Sequence, residues 1–250
     1  MTINFTQLKR LIYCTSLIFL LSACSDTKES VRTPALEIYQ AGMMAFDDEL
    51  YQEAEDKFKK VTEEHPGTQL ATLAYLKMGD LNFRRNRWIE AESGYRMFLT
   101  LNPNSHLTPY VLHQLISLNY QRNFTGVFFR EREYDRDMEP NRRLIQDYQR
   151  FFLLYPNNIY LKDVYAYLLK SRADLAEYEF LVGNFYFKNE AYHSAIHRYR
   201  YLLKYFPEYP RYDEVAQKLI EAYYKNQQPH LAREMENVLK HHKQENHTQS

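Results

Sequence analysis

Apolar positions recur along the chain in blocks of helical spacing, and the blocks repeat. The segment IYQAGMMAFDDELYQEAEDKFKKVTEEHP (38–66) lies over YLKMGDLNFRRNRWIEAESGYRMFLTLNP (75–103) without a gap. Gly42 falls on Gly79, Ala54 on Ala91, Phe58 on Tyr95 and Pro66 on Pro103, each 37 residues apart. A third block, EFLVGNFYFKNEAYHSAIHRYRYLLKYFP (179–207), puts Gly183, Ala195, Tyr199 and Pro207 at the same internal offsets. Each block predicts two helices packed antiparallel. The Gly and Ala remove bulk where the backbones approach, the aromatic fills the space beyond, and the proline ends the second helix.

Weaker copies complete the array. Tyr110 to Tyr120 is apolar at helical spacing, and Leu144 to Pro156 resembles another proline-closed second helix. Between them lies an insertion, Gln121 to Asn141; Pro103 and Pro156 are 53 residues apart, about 16 more than the 37-residue period. Long loops inside compact arrays often carry function. Residues 215–242 predict a fifth pair with Ala232 as its small residue, followed by a flexible polar tail at 241–250. The order small, small, aromatic, proline resembles the tetratricopeptide repeat, a unit of about 34 residues whose copies stack into a superhelix. The expected fold is all-α: about five helix pairs over 35–240, with the insertion in the third.

The first residues read as an address. Lys9 and Arg10 precede the apolar run Leu11 to Leu21, a basic region and a short apolar core of signal-peptide type, too short to span a bilayer, which takes about 20 residues. Leu21-Ser22-Ala23-Cys24 resembles a bacterial lipobox. Residues 1–23 are then a lipoprotein signal peptide, Cys24 the acylated mature N-terminus, and 24–34 a polar tether. Acyl chains hold a protein on a membrane at about 0.8 kcal/mol per buried methylene. Cys14 is lost with the signal, so no internal disulfide forms. Ser25 stands where an Asp would favour inner-membrane retention, so the lipoprotein rule implies an outer-membrane anchor facing the periplasm.

Charge and composition narrow the class. Lys+Arg 32 against Asp+Glu 32 excludes the basic footprint of a nucleic-acid binder, and the mature chain is about -2 once Lys9 and Arg10 are gone. Six Gly and nine Pro in 250 residues favour helices over turn-rich sheets. No phosphate-binding loop, nucleophile elbow, zinc-helix motif or CxxC pair occurs. His193 and His197 are spaced i, i+4 but lack a third ligand. The expectation is a scaffold, not an enzyme, with no metal and no cofactor beyond the covalent lipid on Cys24.

The repeats, the lipobox and the stretches EIYQAG, RMFLTLNPNS, DRDMEPNRRLIQDYQRFFLLYPNNIY and EAYYK together resemble the BamD family, tetratricopeptide lipoproteins of the outer-membrane β-barrel assembly machine. Two departures stand out: Met138 follows Asp137 where the family has Pro, and Asn104-Ser105-His106-Leu107 lacks the family's His-Pro. The resemblance implies docking of the C-terminal half on the last POTRA module of a BamA-type barrel protein, with other accessory lipoproteins in the complex. It also implies a meeting of the N-terminal repeats with the C-terminal signal of unfolded outer-membrane proteins. Tyr192 and Arg198 match the docking motif, Arg198 as a carboxylate-binding fork, and Arg136 and Asp137 stand with Asp135 in the insertion. For the peptide groove, Tyr39, Met43 and Phe46 share one face of the first helix, and Leu76, Asp80 and Phe83 hold equivalent places in the next repeat. An alternative in the same structural class is a pilotin for a pilus secretin or an adaptor for a peptidoglycan hydrolase.

Overall fold

The computed structural model describes residues 33–125 and 136–248. The signal peptide, Cys24, most of the tether and Asp135 lie outside the described residues. Within them the chain is all-helical. Ten helices form five consecutive pairs: α1 (Pro34–Asp47) with α2 (Tyr51–Glu64), α3 (Gln69–Arg84) with α4 (Trp88–Leu101), α5 (Thr108–Thr125) with α6 (Glu139–Leu154), α7 (Leu161–Lys188) with α8 (Tyr192–Tyr205), and α9 (Tyr212–Lys225) with α10 (Pro229–Thr248). The five pairs are those that the repeats predict.

Local chemistry sets the boundaries. The Thr33 hydroxyl accepts from Leu36 N at 3.3 Å with Pro34 opening α1, and Thr68 caps α3 through Ala71 N at 3.1 Å, each satisfying an orphan amide of the first turn. Four of the turns within pairs share one device. Glu49, Asn86, Glu190 and Gln227 adopt left-handed backbone, with φ of 61°, 57°, 60° and 59°. The next amide in each case reaches back five residues, Leu50 N to Ala45 O at 2.8 Å and Ala191 N to Tyr186 O at 3.0 Å among them. This helix-ending motif usually employs glycine.

In the first, second and fourth pairs the glycine and the aromatic of the repeat meet directly. A Cβ on Gly79 would lie 2.6 Å from the Tyr95 ring, and one on Gly183 would lie 2.5 Å from Tyr199. The ring therefore lies flush on the opposing helix, and the residue after each glycine is matched to it. Asp80 accepts the Tyr95 hydroxyl at 3.0 Å and Asn184 accepts that of Tyr199 at 2.7 Å, whereas Phe58, with no hydroxyl, is paired with Met43 at the same register. Tyr95, Tyr199, Phe58, Phe98 and Phe151 are fully buried, and each side chain of this size contributes roughly 1.5–3 kcal/mol.

The core falls into three clusters. Phe58, Val61 and Leu81 centre the first, Tyr95, Phe98, Leu112, Leu115, Phe151 and Val164 the second, and Phe180, Tyr199, Leu202 and Leu219 the third. Two lengths depart from the repeat. α5 runs on to Thr125, so that residues 126–138 make the connection, and α7 is a single helix of 28 residues. The first half of α7 packs Val164 and Leu168 into the second cluster and its second half packs Leu175 and Phe180 into the third. It is the rod that joins the two halves of the array. α10 also continues past residue 240 to Thr248. His242, on this extension, stacks on Tyr212 at 4.2 Å and meets Asp213 at 3.1 Å, contacts that extend the helix into the stretch read as a tail.

Candidate functional site

The six residues assigned to a peptide groove divide in two. Phe46, Asp80 and Phe83 line one open cavity of about 350 Å³, together with Lys77, Arg84 and Tyr110. Leu76 does not reach it; it is buried between α3, α4 and α5, because its position on α3 faces the next repeat. Tyr39 and Met43 pack against the first core cluster, Tyr39 with its ring 5.6 Å from Phe58. Asp80 is the floor. Its Oδ1 accepts from Tyr95 at 3.0 Å and Tyr110 at 2.9 Å, and its Oδ2 holds Lys77 at 3.1 Å. Burial, and then the Asp80 charge, push the Tyr39 hydroxyl up to about 12 and raise Tyr95 and Tyr110 as well. All three stay neutral at any physiological pH, Tyr95 and Tyr110 as donors to Asp80.

The wall of this cavity is cationic and aromatic. The Arg84 guanidinium lies over the Phe46 ring at 4.4 Å and Lys77 over the same ring at 5.6 Å, while Phe83 meets Trp88 edge-on at 5.7 Å. Lys77 and Arg84 were not legible as site residues because they fall outside the i, i+4, i+7 stripe; the cation–π pairing that brings Arg84 in depends on the α1 and α3 crossing.

A second set of polar residues ties the repeats together across the insertion. Glu92 and Arg96 of α4 face Arg143 and Asp147 of α6, and the two cross-pairs share one shift of 51 residues. Arg143 reaches Glu92 Oε1 at 2.8 Å and Arg96 reaches Asp147 through both terminal nitrogens, at 3.3 and 3.0 Å. Arg96 also binds Glu92 at 2.8 Å. Burial works to raise the Glu92 carboxyl, but the bonds from Arg96 and Arg143 outweigh it and hold the group below its ordinary 4.5. A depressed folded value means that the ionised carboxylate stabilises the fold above the unfolded pKa and loses that contribution as pH falls through the folded one. Urea unfolding between pH 7 and 3 is therefore expected to show stability falling below about pH 4.5, with a shallower fall in Glu92→Gln; equal slopes in the two proteins would refute the assignment.

Of the residues expected to dock, Arg198 and Arg136 lie along α7. Arg198 of α8 binds Glu179 Oε2 at 2.9 Å and Arg142 of α6 binds Glu179 Oε1 at 3.2 Å. Glu179 is 1% exposed, yet the two arginines are 34% and 40% exposed. Two cations thus share one buried carboxylate and leave a net positive edge at the surface. Arg136 sits beside the same helix, donating to Asn123 O at 3.3 Å with Asp174 at 3.9 Å. Asp137 is exposed and accepts from Glu139 N, the first amide of α6, at 2.9 Å. Tyr192 stands apart at the start of α8, edge-on to Phe187 at 5.5 Å. His193 and His197 are exposed, and among the described residues no three His, Cys, Asp or Glu converge as a metal site.

Helix pairs closed by proline, a cationic aromatic groove at one end and an arginine edge at the other are set beside a family match over residues 32–239 to the outer membrane lipoprotein family YfiO. The chain belongs to that family. Members with characterised names include the outer membrane protein assembly factor BamD of Vibrio cholerae, 25% identical over 81% of this chain and 83% of that one. The assembly factor BamD of Haemophilus influenzae is 25% identical over 88% and 85%, and that of Pasteurella multocida 23% over 88% and 85%. The crystal structure of MamA protein aligns at a TM-score of 0.37 and 16% identity, covering 82% of this chain and 89% of that one; the fold assignment rests on the helix pairs themselves. In a family of outer membrane lipoproteins, no described helix is long and apolar enough to cross a membrane.

Proposed function

We propose that the chain is a lipid-anchored outer-membrane scaffold that helps assemble β-barrel proteins, held by acylated Cys24 and facing the periplasm. Family membership carries this reading, and relatives named outer membrane protein assembly factor support it. In this role the protein performs no catalysis and uses no cofactor. It holds two partners at fixed separation, and the α7 rod sets that separation.

The N-terminal cavity takes the C-terminal segment of an unfolded outer-membrane protein. Its geometry supports an extended peptide that places an aromatic side chain against Phe46 and Phe83, with Arg84 and Lys77 facing acceptors of the chain. The arginine edge of the C-terminal half docks on the POTRA modules of a BamA-type barrel protein. Arg198 and Arg142, sharing one Glu179, have capacity to receive a partner's carboxylate, and Arg136, Asp137 and Tyr192 extend the contact. Other accessory lipoproteins complete the assembly.

The test is recovery of partners from detergent-solubilised outer membranes by the acylated protein and by Arg198→Gln. Glutamine removes the fork while Arg142 still neutralises Glu179, so that folding is preserved. The expected result is that wild type recovers a large barrel protein with POTRA modules and the variant recovers at least about tenfold less, the loss of about 1.4 kcal/mol or more expected of a charge-assisted contact. Recovery of a secretin or a peptidoglycan hydrolase in its place would overturn the assembly reading.

A further inference from the structure

The two most exposed large apolar side chains among the described residues stand at one turn. Leu153 and Ile159 are 79% and 85% exposed, and Phe152, Leu154, Tyr165 and Leu169 stand open beside them. They surround the turn between α6 and α7, where Tyr148, Phe152 and Tyr165 form a shallow aromatic bowl, Tyr148 lying 6.1 Å from Phe152 and 6.3 Å from Tyr165. The turn itself, Tyr155-Pro156-Asn157-Asn158-Ile159-Tyr160, carries no charge. Arg150, Lys162 and Asp163 are exposed at its margins, two cations to one carboxylate. A contiguous apolar patch of this kind marks a contact surface.

Topology says which way the patch faces. Each helix runs antiparallel to the next, so the start of α1 and the turns that leave α2, α4 and α6 lie along one edge of the array, whereas the turn after α8 falls beside Arg172, partway along the long α7. The last residue of the second helix occupies the same register in each repeat: Glu64, Leu101, Leu154 and Tyr205. Of those on this edge, Leu101 and Leu154 are exposed apolar groups. The turn after α4, Asn102 to Leu107, also lacks a carboxylate. The same edge carries Thr33, where the tether from Cys24 enters α1; nine residues of extended chain reach about 30 Å.

We propose that this edge is a lipid-contacting surface and that the α6–α7 turn inserts its apolar side chains into the interfacial layer of the membrane that holds the anchor. The inference rests on the acylation of Cys24 and goes beyond docking and peptide binding. Protruding side chains suit a fluid phase that closes around them. An uncharged turn has no ion to desolvate, tyrosines sit at the headgroup level, and Arg150 and Lys162 complement anionic headgroups. The contact sets the tilt of the array against the membrane, which an anchor at one point alone leaves free.

The experiment uses tryptophan as the reporter, because Trp88 is the only one in the chain and opens α4, at the opposite edge. The acylated full-length protein, as wild type and as the double variant Trp88→Phe/Ile159→Trp, is reconstituted on phosphatidylethanolamine–phosphatidylglycerol vesicles with and without bromine in the acyl chains. The double variant is expected to emit at shorter wavelength on vesicles and to lose about half its intensity to bromine, as for a side chain roughly 5–10 Å into the interface. Wild-type emission is expected to be unaffected. A double variant that floats with the vesicles yet stays unquenched overturns the lipid contact and leaves the anchor intact. A protein that does not float overturns both. Quenching absent on lipid, with a blue shift only after solubilised outer-membrane proteins are added, would assign the patch to a protein partner and overturn the proposal.

Discussion

Gly94→Ala is expected to destabilise the protein by about 3 kcal/mol, at the upper end of the range for overpacking a close contact. A Cβ at this position would lie 2.7 Å from the carbonyl oxygen of Tyr75, 2.8 Å from the amide nitrogen of Gly79 and 3.0 Å from its Cα. All three are backbone atoms of α3, and none can rotate away. α4 and α3 must therefore separate, and that loosens the contact through which Tyr95 and Phe98 are buried. Helix propensity works the other way, since Ala in a helix interior is better than Gly by roughly 1 kcal/mol, and it does not offset the clash. Gly42→Ala is the control. There the nearest atoms belong to the Phe58 ring, at 2.9 and 3.0 Å, and to Lys57 Cβ at 3.1 Å, so that a small ring tilt relieves most of the strain and the cost is expected to stay near or below about 1 kcal/mol. Urea unfolding of the three proteins followed by circular dichroism measures the difference. Equal losses at the two sites would show that the α3–α4 crossing is not set by this backbone contact.

That crossing also explains what could be read in the sequence and what could not. The Gly, Ala, aromatic and Pro of each repeat act between two helices joined by a short turn, so their spacing is a local property and a fixed offset reveals it. Within that pattern lay a signal that the offsets alone did not bring out: Gly42-Met43 goes with Phe58, Gly79-Asp80 with Tyr95 and Gly183-Asn184 with Tyr199, the polar partner appearing only where the ring has a hydroxyl to satisfy. Asp80 thus belongs first to the packing of its repeat and only then to the cavity it floors. Leu76 was placed in the groove by helical periodicity, which fixes a face of α3 but not which neighbour covers it. The unbroken length of α7 was also hidden. Val164, Leu168 and Leu175 keep helical spacing up to the block that opens at Glu179, yet the repeat offsets give no sign that the helix of that block starts as early as Leu161. Least legible were the pairs of Glu92 with Arg143 and of Arg96 with Asp147. They form only once the third repeat is stacked on the second, across a connection whose length breaks the period.

Register links the glycine crossing to the residue proposed for docking. Lys57, Gly94 and Arg198 occupy one position of the second helix, and Ile38, Tyr75 and Glu179 the facing position of the first. Where Gly94 lets α4 touch the backbone at Tyr75, the fourth repeat substitutes an ion pair, with Arg198 lying against Glu179 at 2.9 Å. Arg198 is consequently a structural residue on one edge of its guanidinium and an available fork on the other. Arg198→Glu is expected to cost about 3 kcal/mol or more, in the range found when a buried pair loses one partner, because it sets a second carboxylate against one that is 1% exposed and leaves Arg142 alone to compensate both. Arg198→Gln is expected to cost about 1 kcal/mol, the net worth of one hydrogen bond. Thermal and urea unfolding of the two variants, run beside the partner-recovery assay, separate folding from docking. Loss of the partner in a Gln variant that unfolds close to wild type assigns the contact to the exposed edge of Arg198. Retention of the partner by that variant, with loss only in the unstable Glu protein, would assign the residue wholly to the α7–α8 crossing and move the docking contact to Arg142 and Arg136.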